Sequence, residues 1–278
     1  MLHAVKIRVN RLIMRILVCV KRVFEADSAL SIEPDGRVLP RGVPRYQMSR
    51  YDEFAVEEAL RIKDGLPGVR VEALTVGPAD ASSVLVRAGG MGAEHGIHLL
   101  VREDDDASRP DAVASWIAAA SRGKGYQLIL CGVMSEDSMQ GQVGPMLAER
   151  LDWPCATAVV AVDLRPGGMT LEAAREIEGG WRERVELSLP AVLTVQSGVN
   201  QPRYPALSGL LRAKQRSWET IEAGALPAVA PTIERLGAAR PERVRAGRVL
   251  EGAPRDKARA LLGLLAERAL LREPESNR

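Results

Sequence analysis

The chain has 278 residues, of which 46% are hydrophobic and 27% charged, with a formal net charge of +2. A chain of this length forms one large domain or two small ones around an unaided core, which excludes general disorder and a disulfide-stapled miniature. With 38 basic residues against 36 acidic ones, it carries no electrostatic footprint of a nucleic-acid binder, and a charge-driven partner would need a local patch.

Residues 1–13 read either as an upstream start-codon extension ahead of Met14 or as a mitochondrial-type presequence, and neither carries the fold. From Arg15 to about Arg150, short aliphatic runs alternate with amphipathic segments, the pattern of β-α-β units and a mostly parallel sheet. Predicted strands are Ile16–Val20, Val71–Val76, Ile97–Val101 and Leu128–Cys131, each suited to burial on both faces. Predicted helices cover Asp52–Lys63, Ser82–Met91, Asp111–Arg122 and about Gly141–Arg150. After Leu151 come strand candidates Thr157–Val162, Met169–Arg175 and Val185–Leu189, the last two joined by the turn-like Glu178-Gly179-Gly180 as an antiparallel hairpin. Ala191–Val195 reads as one more strand of the sheet, and Asn200–Pro205 as a proline-punctuated loop. Ala223–Gly252, rich in Pro, Gly, Ala and Arg, reads as an extended arm. The closing helix, Asp256–Leu271, carries Ala258, Leu261, Leu262, Leu265 and Ala269 on one stripe. The organisation is then an N-terminal extension (1–13), an α/β domain (14–220) and a C-terminal arm with its helix (221–278). No run of 18 apolar residues occurs, so no membrane span is expected. Cys19, Cys131 and Cys155 form no CxxC, which suggests neither a disulfide framework nor a metal site and fits a reducing, cytoplasmic setting.

The familiar catalytic motifs are missing. No Lys is followed by Ser or Thr, so there is no Walker loop; Gly90-x-Gly92 has His95 where a dinucleotide fingerprint needs its third Gly; and His3, His95 and His98 complete no triad. His95 and His98 read as residues that cap or flank the strand near Ile97. The informative stretch follows the Leu128 strand: Gly132-Val133-Met134-Ser135-Glu136-Asp137-Ser138-Met139-Gln140-Gly141-Gln142-Val143. In an open parallel sheet, ligands gather beyond the carboxyl ends of the strands, and a small-residue loop entering a helix offers backbone N–H groups to a phosphate. An ordinary β-α connection is the alternative. Met48-Ser49-Arg50-Tyr51-Asp52 enters a helix with Ser49 as a candidate N-cap, and Lys21-Arg22 at a strand end would offer charge to an anion or stand solvated. The Arg203-Tyr204-Pro205 loop, followed by Leu207, Arg212, Lys214 and Arg216, reads as a docking segment or as a simple surface loop.

Together these pieces resemble the β subunits of the electron-transfer flavoproteins over about Arg15 to Thr220. The resemblance is carried most specifically by Ala173-Ala174-Arg175-Glu176-Ile177-Glu178-Gly179-Gly180 and the following Leu189-Pro190-Ala191-Val192-Leu193-Thr194. VKRV from Val20, YDEFAVEEALRIK from Tyr51, MGAEHGIH from Met91 and NQPRYPAL from Asn200 follow in the family's order.

The resemblance implies an α/β fold like that of the adenine-nucleotide α-hydrolases: a mostly parallel sheet with flanking helices, an antiparallel hairpin, and a C-terminal arm that reaches onto an α subunit. It implies a heterodimeric electron carrier, with no catalytic residues of its own, between flavin dehydrogenases, typically acyl-CoA dehydrogenases, and a quinone oxidoreductase or another acceptor. The redox FAD would lie mainly on the α subunit, and the β subunit would hold AMP or a second FAD. The cofactor positions so implied are Cys19, Ser49, Arg50, Tyr51, Asp52 and Val76, with Tyr51 nearest the redox flavin. In the loop they are Gly132, Val133, Met134, Ser135, Asp137, Ser138, Met139, Gln140, Gly141, Gln142 and Val143. Glu176 and Leu207 would meet the dehydrogenase. The chain departs from the family pattern at Ser49-Arg50, where Asn-Pro is usual, at Val133-Met134, where a basic residue and Gln are usual, and at Met139, where an acid is usual. Gln142-Val143-Gly144-Pro145 looks more like members that hold two FAD and bifurcate electrons, so AMP and FAD both stand, as do plain and bifurcating forms. The implied setting is the bacterial cytoplasm, with the mitochondrial matrix as the alternative. A stand-alone adenine-nucleotide-binding protein or hydrolase of the same superfamily is the alternative function.

Overall fold

In a computed structural model, the structure describes residues 14–25, 29–33, 38–102, 109–165, 167–227, 230, 232–233, 236–239, 247–268 and 270. The predicted extension at 1–13 therefore lies outside the described residues.

The chain runs through β1 (Arg15–Cys19), β2 (Arg22–Phe24), β3 (Leu30–Ile32), β4 (Val38–Pro40), β5 (Tyr46–Met48), α1 (Arg50–Gly65) and β6 (Arg70–Gly77). Next come α2 (Ser83–Met91), β7 (His95–Leu100), α3 (Pro110–Ser121), β8 (Leu128–Gly132) and α4 (Val143–Leu151). Then follow β9 (Cys155–Leu164), β10 (Thr170–Glu176), β11 (Arg182–Ser188), β12 (Ala191–Val195), α5 (Leu207–Lys214), β13 (Glu219–Glu222) and α6 (Pro254–Glu267). Nine of these strands form one sheet in the order β11-β10-β9-β12-β8-β1-β6-β7-β13. Every pairing from β9 to β13 is parallel, whereas β9, β10 and β11 form an antiparallel meander. This is the α/β fold with an added hairpin that the aliphatic runs and the Glu178–Gly180 turn predict. The turn depends on Gly179, whose φ of +80° is open to glycine at little cost.

The alternation of β1 shows why the sheet is covered on both faces. Ile16 and Val18 pack in one core with Val56 and Leu60 of α1 and Leu85 of α2; Leu17 and Cys19 pack in the other with Ile117 of α3 and Leu147 of α4. Each such aliphatic side chain gains about 1.5–3 kcal/mol on leaving water. After β1 the chain places β6 and β7 on one side and then returns to place β8 on the other. The carboxyl ends of β1 and β8 are thus the topological switch point, where the two loops diverge and leave a crevice.

At the opposite end of the strands, buried Glu72 accepts hydrogen bonds from Arg15 Nη2 at 2.6 Å and from the Tyr126 hydroxyl at 2.6 Å. Burial, and then Glu72, push the Tyr126 phenol above its ordinary pKa.

Several expectations are corrected. His95 and His98 are residues of β7 itself, His98 Nε2 lying 3.0 Å from the Gly77 carbonyl. Leu207–Lys214 is a helix within the stretch read as a loop, and Glu219–Glu222 pairs with β7. Strand β13 includes residues 220 and 221. The chain divides into two compact units between Gly237 and Ala238. In the second, α6 begins with Pro254, has Asp256 in its first turn, and carries Ala258, Leu261, Leu262 and Leu265 at helical spacing; Ala269 lies outside the described residues. No helix among the described residues is long and apolar enough to cross a membrane.

Candidate nucleotide crevice and apolar segment

The crevice is lined by Cys19 at the end of β1 and Val20 and Lys21 just after it, from α1 by Asp52, from β6 by Leu74 and Val76, and from α3 by Val113 and Ile117. The β8–α4 connection supplies Gly132 to Ser135, Ser138 and Gln140 to Gly144. One wall is aliphatic and the other is a polar loop entering a helix.

Asp52 holds the switch point together. Its Oδ2 accepts the Lys21 N–H at 2.7 Å and its Oδ1 the Gly132 N–H at 3.1 Å, so one carboxylate bridges the strand ends of β1 and β8. The side chain is buried, with the residue only 6% exposed. Burial pushes its pKa up to about 7, although both N–H bonds and the Lys21 charge work in the other direction. Gly132 is required here: a Cβ would stand 2.5 Å from Asp52 Oδ1 and 2.7 Å from Tyr51 Cβ.

Lys21 ties the loop to β1. Its Nζ lies 2.7 Å from Asp137 Oδ2 and 3.3 Å from Ser135 Oγ. Burial acts to raise the Asp137 carboxyl, but Lys21, Ser135 and the Ser138 N–H outweigh it and hold it below the usual range. Arg50 N–H donates to Glu136 Oε2 at 3.0 Å, linking the same loop to α1. Gly141, with φ +64°, and Met139, with φ +51°, turn the chain into α4. Among the described residues, the N–H groups of Gln140, Gly141 and Gln142 meet no acceptor. Free N–H groups at a helix N-terminus suit an anion, and the aliphatic wall suits a flat heterocycle, so the residues present fit an adenine nucleotide.

Of the residues singled out in the sequence, Cys19, Asp52, Val76, Gly132, Val133, Met134, Ser135, Ser138, Gln140, Gly141, Gln142 and Val143 all line the crevice. Asp137 acts one step away, through Lys21. Met139 is exposed and does not line it. Ser49 is fully buried at the N-cap position of α1, but its Oγ makes no capping bond and has no partner. Arg50 is exposed, and half-buried Tyr51 packs beside Gly132. The sequence reading missed the wall of Leu74, Val113 and Ile117, whose aliphatic character looks like any core position. The cysteines are unpaired, and burial pushes the Cys155 thiol up to about 11.

Two sequence-marked residues lie away from the crevice. Glu176 ends β10, with Arg182 of β11 at 3.9 Å. Leu207 opens α5 and is 73% exposed, near Tyr204 at 86% and Leu211 at 55%. Helix α5 sits close on α2 because Gly90 and Gly209 lack side chains: a Cβ on Gly90 would stand 2.5 Å from Leu210 Cδ2, and one on Gly209 2.9 Å from the Gly90 carbonyl oxygen.

A family model described as "Electron transfer flavoprotein domain" matches residues 38–226. The electron transfer flavoprotein subunit beta of Bacillus subtilis (strain 168) is 32% identical over 262 residues, covering 92% of this chain and 99% of that protein. The corresponding subunit of Methylophilus methylotrophus is 30% identical over 267 residues, with coverage of 91% and 98%. That of Homo sapiens is 36% identical over 215 residues, with coverage of 77% and 83%.

Proposed function

The chain belongs to the electron transfer flavoprotein family, among its beta subunits, and from that premise we propose that it pairs with an α subunit and carries an adenine nucleotide at the β1/β8 switch point. The observation that carries this reading is the crevice itself: an aliphatic wall facing a loop whose free N–H groups end at a helix N-terminus. A bound flavin supplies the redox chemistry of such a carrier. Val20, Val76 and Ile117 would form the wall for the adenine, and the N–H groups of Gln140, Gly141 and Gln142 would hold a phosphate. Asp52 keeps Lys21 and Gly132 in place, and Lys21 holds the loop through Asp137. The nucleotide is AMP or the adenosine end of a second FAD.

In this reading Tyr51 faces the redox flavin on the α subunit, the C-terminal arm and α6 meet that subunit, and Glu176 and Leu207 meet a dehydrogenase of the acyl-CoA type. Electrons pass on to a quinone oxidoreductase or another acceptor, in the cytoplasm, where free thiols are stable. The family match does not favour a stand-alone hydrolase.

Co-expression with a candidate α subunit tests the proposal. A heterodimer with the visible spectrum of oxidised flavin is expected. A chain that stays monomeric and colourless with every such partner contradicts it. One FAD with one AMP identifies the plain carrier, and two FAD the bifurcating form.

A further inference from the structure

The segment from Asn200 to Leu211 inverts the usual arrangement of a surface loop. Two of its polar side chains, Asn200 and Arg203, turn onto α1: Arg203 Nε and Nη2 grip the two oxygens of Glu57 at 2.8 and 3.0 Å, and Nη2 also reaches Asp64 at 2.8 Å. Asn200 Nδ2 donates to Glu58 at 2.9 Å and to the Phe54 carbonyl at 3.0 Å. Three of its large apolar side chains, Tyr204, Leu207 and Leu211, are exposed, while Leu210 packs inward on Gly90 of α2. A segment shaped for stability alone would bury the apolar groups and leave the charges in water. Glu57 and Glu58 are both buried on α1, a costly placement unless a cation or donor meets them.

We propose that Arg203, through its fork on Glu57, is a positioning residue that fixes the angle at which Tyr204, Leu207 and Leu211 are offered to a partner dehydrogenase. The inference rests on the docking role given above to Leu207 and adds the device that aims it. A planar guanidinium held on both oxygens of a carboxylate fixes direction as well as distance, which an ammonium does not. The backbone is held too, since the Arg203 N–H donates to Glu57 at 3.1 Å. A third tie comes from Arg87 of α2, whose guanidinium lies 5.9 Å from the Tyr204 ring centre. Helix α1 thus carries Asp52 of the crevice at one end and the anchor of the apolar segment along its length.

The test uses the full chain assembled with its α subunit, as Arg203→Gln, Arg203→Lys and the charge-neutral double variant Glu57→Gln/Arg203→Gln. The double variant keeps the test valid if a lone buried Glu57 prevents folding. Amide hydrogen exchange over residues 201–211 is read beside electron transfer from a substrate-reduced acyl-CoA dehydrogenase. Exchange is expected to rise about tenfold, and the KM for the dehydrogenase about tenfold, equivalent to ~1.4 kcal/mol. The kcat and flavin content stay unchanged, and Arg203→Lys recovers part of the loss. Unchanged exchange overturns the proposal, as does an unchanged KM where Leu207→Ala raises it. If Leu207→Ala also leaves KM unchanged, the docking role itself is refuted and the positioning proposal falls with it.

Discussion

Replacing Asp52 by Asn should remove a pH dependence of stability that the crevice builds into the wild-type chain. The Asp52 carboxyl is buried between the Lys21 and Gly132 N–H groups and has its pKa pushed up to about 7, against about 3.9 in an unfolded chain. Between those values the folded state keeps a proton that the unfolded state releases, so the unfolding free energy falls as pH rises, by about 1.4 kcal/mol per unit. The neutral form's contribution is fully present below about pH 4 and lost as pH passes 7, which makes about 2 kcal/mol between pH 5 and 7. The Asn variant cannot titrate there. Its amide also accepts only one of the two N–H bonds, at a cost of about 1–3 kcal/mol. Urea unfolding of both proteins at one fixed concentration, from pH 5 to 8, gives the difference directly, because other titrating groups largely cancel. Wild type should be the more stable at pH 5, and its advantage should shrink by about 2–3 kcal/mol by pH 7.5. Parallel profiles would show that Asp52 is charged throughout and refute the reasoning.

Three further outcomes follow from the same geometry. Gly132→Ala drives a Cβ into Asp52 Oδ1 and Tyr51; the nucleotide should be lost on gel filtration, with a destabilisation of about 1–3 kcal/mol. Leu207→Ala, at a side chain 73% exposed, should raise the KM for a dehydrogenase about tenfold or more and leave flavin content unaltered, and loss of flavin would count against a docking role. Tyr126→Phe removes the hydroxyl donor to buried Glu72 and should cost about 1–3 kcal/mol in urea unfolding, while nucleotide content, set at the other end of the strands, stays at the wild-type level.

The parallel core was legible because β1, β6, β7, β8 and β12 are short aliphatic runs buried on both faces, which few other folds require. The two ribbons β2–β5 and β3–β4 were not, since three-residue pairs have no periodicity to read. Helix α5 has eight residues with Gly209 among them, and its form depends on close contact with Gly90, 119 positions earlier. The polar strand Glu219–Glu222 exists because β7 offers it an edge. In the crevice, the Gly132–Val143 loop stood out by composition, whereas Asp52 looked like an ordinary first-turn acid of α1. Its bonds to Lys21 and Gly132 span 31 and 80 positions, a relation only the fold creates. The same holds for Glu57 and Arg203, which lie 146 positions apart.

The nucleotide extracted from the purified heterodimer tests the central claim most directly. Acid release followed by mass spectrometry and quantitation against protein should find, beyond the single FAD assigned to the α subunit, about one further AMP or FAD per β chain, and none in Gly132→Ala. A wild-type heterodimer with the α-bound FAD alone, or a Gly132→Ala variant that keeps the second nucleotide in full, would contradict a nucleotide site at the β1/β8 switch point.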